Sequence, residues 1–173
     1  MLSIDEKRYE EAEKLALRYI KDNVEAEVAG HPSNAFGHIY LGILDTKRKH
    51  FVKASQELRR ALGILETAAG RRGPNFVTAL DALALVEIKL GHLAEALELR
   101  REAVSISEET FGPRHRLTAL TLYKYAKIQG RLHLRDEARQ NMAKAVAINK
   151  DSTVGSPAGH TIEWETFRRE AGR

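Results

Sequence analysis

The residues best suited to acid–base or metal chemistry in this sequence are its seven histidines, because imidazole titrates near neutral pH and readily ligates metals. They fall at positions 31, 38, 50, 92, 115, 133 and 160, scattered along the chain, and no two form the H-E-x-x-H pair that puts both rings on one helical face. His38 shares a sequence column with Leu80 and Leu122 and reads as a partly buried core residue, while His50, His92 and His133 fall in or near turns where rings are solvated. Nucleophilic chemistry has equally little support. Ser55, Ser105 and Ser107 lie inside stretches with helical periodicity, without the G-x-S-x-G turn that strains and exposes a serine. The run Gly70-Arg71-Arg72-Gly73-Pro74 is basic and glycine-rich but lacks the G-K-[ST] ending of a phosphate loop. There is no cysteine, which removes thiolates, disulfides and thiolate zinc sites. The expectation is a protein that is not an enzyme and that uses no cofactor and no metal.

The chemistry that does recur is cationic. Lys47, Lys89 and Arg131 are each 42 residues apart, a spacing that would stack three positive charges into a row able to attract carboxylates. The row has a second explanation, since helix ends favour cations through the backbone dipole. Which elements would hold such a row follows from the same period. Ala12, Ala54, Ala96 and Ala138 keep the 42-residue step, as do Ile20, Leu62, Val104 and Val146, then Ala61, Ala103 and Ala145, and Ile64, Ile106 and Ile148. A parallel set runs through Leu41, Leu83 and Tyr125 and through Gly42, Ala84 and Ala126. Fixed self-similarity of this kind marks a repeat architecture in which each unit buries its apolar face against the next.

Each unit reads as two helices. Leu80, Leu83, Ala84 and Val86 share one helical face, and Leu93, Ala96, Leu97, Ala103, Val104 and Ile106 form another after the Gly91 break. Gly30-His31-Pro32, Gly73-Pro74 and Gly112-Pro113 punctuate the units, glycine ending one helix and proline fitting the first turn of the next. The pattern predicts helices over 3–29, 33–48, 51–69, 75–90, 92–111, 116–131, 134–150 and 158–170. The fold class is all-α. The organisation is a repeat domain over 1–150, made of a half repeat 1–30 and repeats 31–72, 73–114 and 115–150, then a turn-rich linker 151–157 and a segment 158–173.

The stretch Lys7-Arg8-Tyr9-Glu10-Glu11-Ala12-Glu13, the run Gly91-His92-Leu93-Ala94-Glu95-Ala96 and the turn Gly112-Pro113-Arg114-His115 resemble the 42-residue tetratricopeptide repeats of kinesin light chains. The resemblance spans about residues 7–150. It implies a right-handed superhelix, a solenoid of antiparallel helix pairs, that binds a protein or peptide in a concave groove lined by the first helix of each pair. The matching positions are Phe36, Ile39, Ile43, Thr46 and Lys47, then Thr78, Asp81, Leu85, Ile88 and Lys89, then Leu120, Tyr123, Lys127, Gly130 and Arg131. Phe36, Ile39, Ile43, Leu85, Ile88 and Tyr123 are more apolar than an unused surface needs, although some can pack between units instead. An acidic segment with apolar anchors is the implied ligand. The asparagine-rich set expected for clamping a chaperone's C-terminal carboxylate is missing from these positions. The sequence also departs from the pattern: Arg116 stands for a proline, Lys49 and His133 for the glycine within pairs, and Arg100 for an apolar packing residue.

Two other uses remain open. A nucleic-acid binder would work through Arg71, Arg72, Arg114, Arg116, Arg131 and Arg135, but a net charge of +4 is only mildly basic, enough to favour acidic partners without naming nucleic acid as one, and nucleic acid is not the expected ligand. A self-assembling scaffold is the other. Residues 3–29 match a second-type helix lacking its first-type partner, which leaves a face for a second copy, for sequence from a longer chain, or for solvent. At the other end, Trp164 and Phe167 fall 42 residues beyond Leu122 and Tyr125, as in a further first-type helix that caps the array, or in a tail carrying a recognition motif. No run of about 18 apolar residues occurs and the start is charged from Asp5, so neither a membrane span nor a signal peptide is expected, and the cytoplasm is the default location.

Overall fold

The structure, a computed structural model, describes residues 4–25 and 32–151. These form seven helices: α1 (Ile4–Glu25), α2 (Pro32–Lys47), α3 (Phe51–Ala69), α4 (Pro74–Leu90), α5 (Leu93–Phe111), α6 (Arg116–Arg131) and α7 (Arg135–Asp151). From α2 to α7 each expected boundary is met to within a residue or so, and no strand occurs among the described residues. The end expected for the first helix, the rest of the linker after Asp151 and the helix expected over 158–170 lie outside the described residues.

The punctuation acts as glycine and proline chemistry requires. Gly73 is the N-cap of α4 with Pro74 in its first turn, and Gly91 closes the helix at φ +88°, its N–H reaching the Glu87 and Ile88 carbonyls. The equivalent turns in the neighbouring pairs have no glycine, yet Lys49 and His133 adopt the same left-handed backbone, with φ of +64° and +62°. Each therefore carries a steric cost of roughly 1–2 kcal/mol that glycine would avoid. At α6, where proline is missing, His115 caps instead, its Nδ1 accepting from the Leu117 N–H at 3.1 Å while its ring stacks on Phe111.

The chain divides into two compact units, Met1–Leu99 and Arg100–Arg173. In the first, α1 packs on α2, α2 on α3, and α4 on both α2 and α3. Ala54, Leu58, Leu83 and Val86 form its centre, with Phe51, Leu62, Ala82, Leu90 and Leu99 around them. Missing side chains set the closest approaches: a Cβ on Gly37 would fall 2.4 Å from Ile20 Cγ1, and one on Gly42 would fall 2.5 Å from Leu58 Cγ. In the second unit α6 packs on α7, and Ala119, Leu122, Tyr123 and Ala145 form a centre joined by Val104, Leu120, Met142 and Ile148. Of the periodic alanines, Ala54, Ala61, Ala96, Ala103 and Ala145 are wholly buried, as small crossing residues should be, whereas Ala138 is half-buried and Ala12 exposed. Arg100, in an apolar packing column, is buried as well.

Candidate functional site

Residues 36, 40, 43 and 47 advance by four, three and four, so they share one face of α2. Phe36 is half-buried there, Tyr40 is 65% exposed, Ile43 is 38% exposed and Lys47 is exposed. Against expectation in detail, Ile39 turns inward and is buried, and Tyr40 takes the outward place. On α4, the neighbouring helix in the same unit, Thr78 and Lys89 are exposed while Asp81, Leu85 and Ile88 are half-buried. Both threonines of the expected set turn their hydroxyls back on their own helix, Thr46 to the Gly42 carbonyl at 2.7 Å and Thr78 to the Pro74 carbonyl at 2.9 Å. They offer a ligand methyl groups more than donors.

In the second unit, α6 presents Leu120 half-buried and Lys127, Gly130 and Arg131 exposed. Tyr123 belongs to the buried centre, and its hydroxyl lies 3.3 Å from Lys127 Nζ, the ammonium standing 5.3 Å from the ring centroid. Lys47, Lys89 and Arg131 each occupy the last turn of their helix, where the dipole favours a cation. None of the three has a side-chain partner among the described residues.

Two residues before each of these cations lies a column that the sequence reading passes over. Asp45, Glu87 and Gln129 are spaced by 42 and all are buried. Each receives, on its backbone carbonyl, the N–H of the residue five further on: His50, His92 and Leu134. The side chains add a second link. Glu87 accepts from Ser55 Oγ at 2.7 Å, from Arg59 Nη2 at 3.0 Å and from His92 Nδ1 at 2.7 Å. Asp45 meets His50 Nδ1 and Lys53 Nζ, each at 3.4 Å, and Gln129 Oε1 accepts from Asn141 Nδ2 at 2.8 Å. Burial alone would raise the Glu87 carboxyl, but the Ser55 and His92 hydrogen bonds and the Arg59 charge outweigh it and hold the group below the usual carboxylate range. The Glu13 carboxyl is also held low, chiefly by its bond from Arg48, against the effect of burial. The 42-residue step is the available signal for this column.

Four of the described histidines thus serve structure. His92 and His50 are exposed yet tied to buried acids, His38 bonds Glu57 at 2.7 Å, and His115 caps α6; His31 and His160 lie outside the described residues. Glu87, His92 and Glu95 bring potential metal-ligand atoms within 4.8 Å of one another. The Arg59 guanidinium bridges both carboxylates, so that charge is already answered by a cation from the chain itself. Ser55 spends its hydroxyl on Glu87, and Ser107 is buried against Thr118.

Comparison with known proteins bears on what such helix faces are for. Residues 76–151 match the family model described as tetratricopeptide repeat. Over this stretch the chain is similar to tetratricopeptide repeats. Among solved structures, BtubC (BKLC) from P. vanneervenii is 17% identical, with a TM-score of 0.79 over 97% of this chain and 68% of that one. A kinesin light chain of Podosopora anserina with nearly identical TPR-like repeats is 19% identical, with a TM-score of 0.67 over 95% of this chain and 83% of that one. A crystal structure of a variant of that protein gives 18% and 0.68 over the same shares of both chains. No curated protein matches the sequence. The expected fold class, an all-α solenoid of tetratricopeptide type, is the one these structures share, and the likeness to kinesin-light-chain repeats extends beyond the matched segment. Proteins of this repeat family are in general scaffolds for protein–protein interaction rather than catalysts. Among the described residues no helix is long and apolar enough to cross a membrane.

Proposed function

We propose that this chain is a protein-interaction module whose first-type helices receive an acidic peptide or protein segment with one or two large apolar anchors. The observation that carries the reading is the outward stripe of α2, where Phe36, Tyr40 and Ile43 run into Lys47, together with half-buried Leu85 and Ile88 and exposed Lys89 on α4, which packs on α2. An aromatic and an aliphatic side chain held in solvent next to cations without partners is a surface suited to an anchor residue flanked by carboxylates. In the second unit the equivalent α6 face, with Leu120, Lys127 and Arg131, is richer in cations and is by itself a surface for carboxylates. Asp81 and Thr78 border the stripe and would disfavour a uniformly acidic ligand there.

The test is binding of fluorescent acidic peptides containing Leu or Phe anchors, followed by anisotropy. The Lys47→Glu/Lys89→Glu variant should weaken binding by about tenfold or more, and Tyr40→Ala should weaken it at any salt concentration. Unchanged affinity in both variants places the site elsewhere. A nucleic-acid ligand through the arginines is the competing class. Arg71 already pairs with Glu66 at 3.3 Å and covers the Phe76 ring, which weakens that reading. Retention of RNA or DNA that falls steeply with salt would support it.

A second reading has its own observation. α1 exposes Leu15, Leu17 and Tyr19, at 67%, 52% and 43% of their surface, which is unusual for one helix. A homodimer through α1 would cover them. Light scattering that shows a dimer in the native chain and a monomer in Leu15→Glu/Tyr19→Glu would establish it, and a concentration-independent monomer would exclude it.

A further inference from the structure

In the first unit α2 and α3 meet through a buried acid that the equivalent position one repeat later lacks. Glu57 is 8% exposed and holds His38 Nδ1 at 2.7 Å on one carboxylate oxygen and Arg60 Nη1 at 3.2 Å on the other. Forty-two residues further on, the columns of His38 and Glu57 hold Leu80, which is buried, and Leu99, which joins an apolar cluster. Two leucines serve the packing there, so the fold does not require a buried acid with a histidine at this level. Beside the pair opens a pocket of about 420 Å³, within the range of small-molecule sites, lined among the described residues by His38, Arg60, Gly63, Ile64 and Thr67. Gly63 lies in the middle of α3, where glycine is less stable than alanine, yet a Cβ there would meet no described atom within 4 Å. Packing within the described chain therefore gives no reason for the missing side chain. Ile64 is only half-buried, whereas its equivalent Ile106 is buried. His38 is two residues from Phe36 and from Tyr40, about 200° round α2, so the pocket lies away from the stripe assigned to a peptide.

The lining has a definite chemistry. With Glu57 ionised, the proton of the neutral His38 ring sits on Nδ1, which leaves Nε2 as a bare acceptor. Arg60 gives one N–H to Glu57 and keeps the rest of its planar fork for a second anion. Thr67 turns its hydroxyl to the Gly63 carbonyl at 2.9 Å, which leaves its methyl beside Ile64. We propose that this pocket binds a small carboxylate whose α-carbon carries an O–H or N–H and a branched aliphatic side chain. Arg60 takes the carboxylate, His38 Nε2 accepts from the α-substituent, and Ile64 and Thr67 receive the aliphatic group over the bare backbone of Gly63. Glu57 is the positioning residue that sets the acceptor and the cation side by side. The inference concerns the other side of α2 and stands or falls independently of the peptide reading.

The probe is leucic acid, the α-hydroxy analogue of leucine, titrated into the full chain and followed by NMR at the His38 ring and the Gly63 amide. Both signals should shift saturably. Isocaproate, which lacks the hydroxyl, should bind several-fold more weakly, and the amide of leucic acid, which lacks the charge, about tenfold or more. Gly63→Leu fills the pocket from an open helical position and should abolish the shifts without lowering the urea midpoint. His38→Leu/Glu57→Leu, which installs the leucines of the equivalent columns, should also abolish binding while keeping or raising that midpoint. Four results would overturn the proposal: no saturable shift up to the solubility of the probe; undiminished binding in Gly63→Leu; equal affinity for isocaproate; or tighter binding of the tripeptide Ala-Ala-Leu than of leucic acid, which would give the site to a chain end. A clear fall in the urea midpoint of the double variant would make the His38–Glu57 pair a packing element and overturn it as well.

Discussion

Glu87→Ala tests whether the buried polar column holds the helix pairs together. Glu87 is 1% exposed and takes hydrogen bonds from Ser55, Arg59 and His92. A bond to a charged group is worth about 1.5–3 kcal/mol net, but the three do not simply add. Arg59 is half-exposed and keeps Glu95, so its share shrinks to that of a surface ion pair, below about 1 kcal/mol. His92 is exposed and its ring can turn to water. Ser55 cannot, because it is buried, and losing its acceptor costs about 1–3 kcal/mol. With the void left by the side chain, the expected loss is roughly 2–4 kcal/mol, at the lower edge of what breaking a buried ion pair costs. Glu87→Gln should lose about half of that, since an amide still accepts from Ser55, and Gln129 shows an amide in the equivalent place. Urea unfolding followed by circular dichroism gives both values, with Glu95→Ala as a control that should shift stability by less than about 1 kcal/mol. A Glu87→Ala protein within about 1 kcal/mol of the native chain would refute the assignment of structural weight to this group.

Acidification should reproduce part of that loss. Because the folded Glu87 and Glu13 carboxyls sit below their ordinary value of 4.5, their stabilisation is complete above that pH and disappears as pH falls through the lowered folded values; the Glu87→Gln protein should show a shallower decline in urea midpoint below pH 4.5. Glycine substitutions separate packing from entropy: Gly42→Ala should cost about 1–3 kcal/mol against Leu58, whereas Gly63→Ala, with nothing within 4 Å, should gain about 0.5–1 kcal/mol in thermal unfolding. Lys49→Gly and His133→Gly should each raise the melting temperature by relieving left-handed strain of about 1 kcal/mol, and a fall in either would mean that the side chain contributes more than its backbone costs.

The helices are legible because several columns repeat in one register, and because Gly73, Pro74 and Gly91 have few conformational uses other than to end one helix and begin the next. The face of each helix is less legible. Positions 39 and 40 both lie within one turn of Phe36 and Ile43, and only packing against neighbouring helices decides that Ile39 is buried and Tyr40 is not. Tyr123 reads as surface for the same reason, and the structure seats it among Ala119, Leu122 and Ala145. The polar column escapes notice because an acid or amide near a helix end ordinarily reads as solvated. Its meaning appears only when α3 brings Ser55 and Arg59, 32 and 28 residues away in sequence, to Glu87.

That column bears on recognition through simple geometry. Asp45, Glu87 and Gln129 each precede a cation of the row by two residues, and two residues turn an α-helix by about 200°, so a side chain fixed inward holds the cation outward. An apolar residue at the inner position would bury as well but would tolerate rotation, since dispersion has no direction. A carboxylate that must meet Ser55, Arg59 and His92 together permits one azimuth. The burial cost of the acid thus gives α4 a defined rotation about its axis, and with it the aim of Lys89. Asp45, with His50 and Lys53 each 3.4 Å away, and Gln129, with its one bond from Asn141, hold the same inner position with fewer constraints. The inner latch and the outer cation are two ends of one device, so under the proposed function the substitutions that disturb ligand capture need not lie on the exposed face.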